Sequence, residues 1–139
     1  MSTLNISALL KVNKAYHNML TRVYTVESKD SDTLEFFELE STRSGLIQHF
    51  EFSYELCWKF MERYLHFVGL QVPHARKELF RKCIEVGVIS DFDLWVQFQD
   101  ARNETSHTYD EESAAEVFEV AKKFKDEFDF FIAKLEANL

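Results

Sequence analysis

This chain has almost nothing in it that would interrupt a helix. Of 139 residues, 3 are glycine and 1 is proline. Sandwiches and barrels need turn residues roughly every 8 to 12 positions, so this scarcity argues for a handful of long helices. Cysteine is also rare, at 2 residues. Cys57 and Cys83 both fall inside apolar helical patterns, which fits buried free thiols in a reducing compartment better than a disulfide. With the 5 histidines they make no metal-ligand spacing, so neither a metal nor a cofactor is expected. Basic residues are outnumbered 16 to 24, for a net charge of -8. Phosphate binding is driven by Lys and Arg releasing counterions, so this balance excludes a general nucleic-acid coat and leaves room for a local basic site. No apolar run reaches the ~18 residues of a membrane span, and the N-terminal residues lack a basic-then-apolar signal. The expectation is a cytoplasmic protein with no membrane association.

What the chain does have is apolar and aromatic material. It is 46% hydrophobic, 15% aromatic and 29% charged, with 14 phenylalanines. That is a folding composition, far from the disordered regime. The length suits one domain over residues 1–139, and the phenylalanines must supply much of its core.

The periodicity places the helices. A first helix from about Asn5 to Val26 carries Leu9, Val12, Tyr16, Met19, Leu20 and Val23 on one stripe. Ser28 to Asp32 forms a polar connection, with Ser31 or Asp32 able to cap the second helix. Leu34, Phe36 and Phe37 begin that helix early or form a separate turn. From about Thr42 to Val68 runs the most apolar helix, apolar on more than one side, which calls for burial against several neighbours. Gln48, His49, Glu51, Glu55 and Lys59 lie among its apolar residues as a solvated flank, with Glu55 to Lys59 an ordinary helix pair. Gly69 ends this helix and Pro73 begins the next. The third helix, about His74 to Val86, carries Arg76, Lys77, Arg81 and Lys82, either a solvated face or a docking strip for RNA or an acidic partner. Gly87 closes it, and Ser90 with Asp93 forms a capping-box-like start to the fourth, whose inner side is Phe92, Trp95, Phe98 and Ala101. Thr108 or Asp110 caps the last helix, which runs to about Glu136 with Phe118, Phe124, Phe128 and Phe131 in its stripe. The expected fold is all-α, an antiparallel up-and-down bundle of four principal helices plus one shorter helix.

One polar cluster looks chemical. Arg102 to Tyr109 reads Arg-Asn-Glu-Thr-Ser-His-Thr-Tyr between two helical segments, joining a fixed cation, an imidazole that titrates near neutral pH, and a phenol. Arg102 suits a phosphodiester held by two parallel hydrogen bonds, and His107 suits proton transfer at a ribose hydroxyl. Residues five apart on an unbroken helix are roughly 140° apart around its axis. Arg102 and His107 therefore converge only if the helix ends near Ser106, or if they meet copies from a second subunit across a two-fold axis. The plainer alternative has Arg102 capping or pairing at a helix C-terminus and His107 as a turn residue favoured by the dipole.

Two long signatures, Gly45-Leu-Ile-Gln-His-Phe-Glu-Phe-Ser-Tyr-Glu-Leu-Cys-Trp-Lys59 and Asp100-Ala-Arg-Asn-Glu-Thr-Ser-His-Thr-Tyr-Asp-Glu112, resemble the nucleotidyltransferase substrate-binding proteins, a branch of the HEPN superfamily of helical bundles. The likeness covers nearly the whole chain. It implies a homodimer that forms a complex with a minimal nucleotidyltransferase, with a heterotetramer or larger assembly left open. In HEPN ribonuclease toxins the Arg-x4-His-x-Tyr motif cleaves RNA without metal at the dimer interface, and the partner silences it by attaching AMP to the tyrosine. Carried over, Arg102 and His107 are the catalytic pair of a metal-independent endoribonuclease, Asn103 supports them, and Tyr109 is the adenylylation site of a toxin-antitoxin-like system. The resemblance equally fits a noncatalytic substrate-binding subunit of the nucleotidyltransferase.

Overall fold

Five helices account for the regular backbone of the computed structural model, which describes residues 3–29, 36–105 and 111–139. They are α1 (Ser7–Glu27), α2 (Phe36–Phe67), α3 (Arg76–Glu85), α4 (Phe92–Glu104) and α5 (Glu111–Ala137). The expected all-α bundle is what forms. Contacts along the helices give their directions. Gly45 of α2 lies beside Met19 of α1, and Lys29 reaches Glu38. Phe50 and Tyr54 of α2 meet Phe98 and Trp95 of α4 respectively. Phe98 and Trp95 then meet Phe124 and Phe131 of α5. Lys122 of α5 pairs with Glu27 of α1, and Asp129 with His17. In each case ascending numbers on one helix meet descending numbers on the next, so α1, α2, α4 and α5 run alternately up and down. Phe50 and Phe124 close the diagonal between α2 and α5, which run parallel. The short α3 packs against α2 and α4.

The core is aromatic, as the phenylalanine count requires. Phe50, Phe60, Phe80, Phe98, Phe124, Phe128, Phe131, Tyr16, Tyr54 and Trp95 are all essentially removed from solvent. Phe124 meets Tyr16, Phe50, Trp95, Phe98 and Phe128, mostly edge to face, the geometry that the ring quadrupole favours. Two of the largest aromatic residues of the core tie off their polar atoms across helices. The Tyr16 hydroxyl donates to the Ala121 carbonyl at 2.5 Å, and burial pushes its ionisation far above the ordinary phenol value. Trp95 Nε1 donates to Glu127 Oε1 at 3.2 Å. Cys57 and Cys83 are buried and free, and desolvation pushes the Cys83 thiol up to about 12.

Several boundaries differ from expectation for local reasons. The second helix begins at Phe36, so Phe36 and Phe37 start it early; Leu34, Ser31 and Asp32 lie outside the described residues. The fourth helix is capped by Asp91, whose carboxylate accepts from the Leu94 backbone N–H at 3.0 Å, where Ser90 was expected. A carboxylate one residue closer fills the same role and adds charge at the positive end of the helix. Gly69 and Gly87 terminate α2 and α3 as expected, at φ of 82° and 84°. The N–H groups of Gly87 and Val88 bond back to the carbonyls of Ile84 and Cys83, a paired closure that needs the left-handed conformation glycine adopts without strain.

Asp129 clasps α1 to α5. It accepts from Asn13 Nδ2 at 3.0 Å and lies 2.7 Å from His17 Nε2, with Lys125 at 3.4 Å. Partial burial raises its carboxyl pKa, and the bonds from Asn13 and His17 outweigh that, so the net value falls below the ordinary 3.8.

This packing carries two stability predictions. Phe124→Ala removes a ring from the centre and should cost about 3–5 kcal/mol in urea unfolding. The folded state favours the ionised Asp129, so its contribution is present above about pH 4 and is lost as pH falls through its lowered pKa. The urea midpoints of wild type and Asp129→Asn should therefore differ at pH 7 and converge toward pH 3; an unchanged gap at both pH values would remove this role.

Candidate functional site

The last turn of α4 carries the arginine of the motif. Phe98 and Ala101 point inward and are buried, and one turn after Phe98 the chain reaches Arg102, whose side chain retains 29% exposure. It emerges at the rim of the core, as its spacing from Phe98 requires. Two groups hold it by hydrogen bonds. Its Nε donates to Glu55 Oε1 at 3.0 Å, and its Nη1 donates to Thr105 Oγ1 at 3.0 Å. Glu51 Oε2 lies 3.6 Å from Nη1, a charge contact beyond hydrogen-bond length. Thr105 Oγ1 in turn donates to the Arg102 carbonyl at 2.7 Å, satisfying one of the acceptors left over at a helix C-terminus.

Glu51 and Glu55 are therefore not a solvated flank. Glu55 turns across to α4 instead of along its own helix to Lys59, and its second oxygen accepts from Trp58 Nε1 at 3.0 Å. Lys59 lies over the Trp58 ring instead, 5.7 Å from its centroid. Sequence reasoning passed over Glu55 and Trp58 because an i,i+4 lysine offered a sufficient local partner. Both sit inside the first signature that carried the family resemblance, and that was the available signal.

The basic strip of α3 is largely committed within the fold. Arg76 stacks on Trp58 at 3.6 Å from the ring centroid and donates to the Tyr54 hydroxyl at 3.2 Å. Burial pushes the Tyr54 phenol up to about 12, against the lowering effect of Arg76. Arg81 pairs with Glu78 and lies over Phe92, and Lys82 pairs with Glu85 at 3.5 Å. These contacts make the strip part of the packing around Trp58 and Phe92.

On the other side of α4 a groove of about 1030 Å³ opens between α1, α4 and α5. Asn103 and Glu104 of the motif line it, with Asp100, Glu116 and Glu119 and an apolar floor of Ala101, Val117 and Val120. Its lysines are engaged, Lys122 with Glu27 and Glu119 and Lys123 with Gln97. Asn103 thus faces a different space from the Glu51–Glu55 contact of Arg102. His107 and Tyr109 lie outside the described residues, as do Ser106, Thr108 and Asp110. No group of three or more His, Cys, Asp or Glu suited to a metal occurs among the described residues. Among them, no helix is long and apolar enough to cross a membrane.

Residues 7–137 match the sequence pattern described as nucleotidyltransferase substrate binding protein like. The chain belongs to this family. Over 96 residues it is 38% identical to a Haemophilus influenzae protein named probable ribonuclease HepT, a match that spans 66% of each chain. A solved H. influenzae structure, reported as revealing the fold of a substrate binding domain of a nucleotidyltransferase, superposes with a TM-score of 0.82 at 30% identity. That superposition covers 92% of this chain and 98% of the other. A Thermus thermophilus protein superposes with a TM-score of 0.65 at 25% identity, covering 86% of this chain and 98% of that one. The nucleotidyltransferase substrate-binding family thus accounts for the bundle from α1 through α5.

The site generates one stability prediction. A double-mutant cycle on Glu55→Ala and Arg102→Ala should return a coupling of about 0.5–1 kcal/mol, the range of partly exposed pairs. Additive effects in urea unfolding would show that the pair is not formed in solution.

Proposed function

We propose that this protein is the nucleotidyltransferase-associated, HEPN-type member of a two-component system, a metal-independent endoribonuclease in which Arg102 and His107 act on RNA and adenylylation of Tyr109 silences them. The observation that carries this reading is Arg102 itself: a guanidinium at the rim of an aromatic core, held at Nε by Glu55 and at Nη1 by Thr105, and followed five residues later by the histidine of an intact Arg-x4-His-x-Tyr sequence. The named ribonuclease relative supports it. In this mechanism Arg102 stabilises the charge that grows on the phosphoryl oxygens. His107 takes the proton of the ribose 2'-hydroxyl, which attacks the adjacent phosphorus as the bond to the 5'-oxygen breaks; the 5'-oxygen takes up a proton from water, leaving a 2',3'-cyclic phosphate end. No metal enters. A homodimer placing two motifs face to face would make a local positive cleft in an acidic protein, which is the arrangement that the net charge of -8 allows. AMP on Tyr109 would add bulk and negative charge at the entry to that cleft.

A noncatalytic subunit that presents substrate to the nucleotidyltransferase is the second reading. It is favoured by the two carboxylates within 4 Å of Arg102, which lower the local affinity for a polyanion, and by the substrate-binding description of the superposed structure.

The deciding experiment is RNA cleavage by purified protein, unmodified and free of nucleotidyltransferase, in EDTA. Wild type should generate cyclic phosphate ends, Arg102→Ala and His107→Ala should abolish them, and prior incubation with the nucleotidyltransferase and ATP should add AMP to Tyr109 and stop cleavage. A folded wild type inert toward varied RNAs would leave the binding-subunit reading standing.

A further inference from the structure

A chain of contacts crossing three helices fixes the Arg102 side chain. Glu55 uses both oxygens, Oε1 on Arg102 Nε and Oε2 on Trp58 Nε1, each at 3.0 Å. The Trp58 indole is itself clamped by Arg76, 3.6 Å above its centroid, and Arg76 is anchored to the buried Tyr54 hydroxyl. The Glu55 carboxylate therefore has little freedom to rotate. Anchoring Nε sets the plane of a guanidinium, because Nε, Cζ and both Nη atoms are coplanar. The Thr105 bond then fixes Nη1, while Nη2 has no bond to a described residue. An arginine left free gives up about 2 kcal/mol of rotamer entropy on engaging a ligand; here the fold has already ordered it.

We infer that Glu55 is the positioning residue for Arg102: held by Trp58, it orients the guanidinium so that the Nη2 edge is presented to a phosphate. The inference rests on the reading of Arg102 as the phosphate-binding group of the site. Glu51 provides the internal contrast. It places the same negative charge 3.6 Å from Nη1 without touching Nε and without a tryptophan behind it. If the carboxylates act only by neutralising the arginine, removing either charge has the same effect. If Glu55 acts by geometry, the two substitutions separate.

The test compares full-length wild type, Glu55→Gln, Glu51→Gln and Trp58→Phe, each confirmed folded by circular dichroism. Trp58→Phe keeps a ring for Arg76 to stack on and removes the Nε1–H together with part of the indole. The first readout is the ¹⁵N-resolved Nε–Hε signal of Arg102, assigned by its absence in Arg102→Ala. It should exchange slowly with solvent in wild type and Glu51→Gln, and rapidly in Glu55→Gln. The second is single-turnover cleavage of a short RNA in EDTA. Glu55→Gln should lower the maximal rate by up to ~100-fold with a smaller change in RNA affinity, and Trp58→Phe should fall in the same direction by less. Glu51→Gln should not lower it. Equal behaviour of Glu55→Gln and Glu51→Gln in either readout, or an unprotected Nε signal in wild type, overturns the inference. If wild type fails to cleave while its Nε signal is protected and only Glu55→Gln and Trp58→Phe release it, the ribonuclease reading falls and the positioning of Arg102 by Glu55 stands.

Discussion

Edge-to-face packing of aromatic rings between α2, α4 and α5 is the constraint on which this molecule depends. Phe124 touches partners from every principal helix, including Tyr16 from α1, and Trp95 adds Phe80 from α3. Rings of this size interlock in few ways. Their register therefore fixes how far α4 slides along α2, and with it which α2 side chains Arg102 can reach. With Phe98 set against Phe50 and Trp95 against Tyr54, the antiparallel pair brings Arg102 to Glu51 and Glu55 because helical side chains lean back toward their own N-termini. The polar contact is a consequence of apolar packing one layer below it.

The same logic explains why α2 needs apolar residues around so much of its circumference. It packs against α1, α4 and α5 and also supports α3, so its buried positions spread around much of its circumference. Several of its half-buried positions make contacts of their own. Glu51 and Glu55 reach α4, Trp58 supports Arg76, and Phe52, at 54% exposure, is left on the surface beside them. A helix that serves as the centre of a bundle has its polar residues placed by its neighbours more than by its own sequence.

The fold was largely legible in the sequence because its signals are local. Stripes at spacings of three and four residues located all five helices, and Gly69 and Gly87 ended two of them. The start of α4 was missed by one residue because Ser90 and Asp91 are both good caps and only backbone geometry chooses between them. The site was legible in part. Arg102 could be placed at the rim from its spacing after Phe98. Its partner could not, since Glu55 is 47 residues away and a lysine four residues along the same helix gave it a plausible local mate. Local pairing rules carry no information about which helix will lie across the way. His107 and Tyr109 fall outside the described residues.

The chain's two tryptophans occupy different physical worlds. Trp95 is sealed at the centre of the aromatic core, with its N–H on Glu127. Trp58 is only half-buried, hydrogen-bonded to the carboxylate that holds Arg102 and covered by the Arg76 cation. A dry indole responds to the collapse of the whole bundle, whereas an indole between a carboxylate and a guanidinium responds to the charges around it. The protein thus contains its own pair of optical reporters, one for global folding and one for the electrostatic state of the site, separable by replacing either ring with phenylalanine.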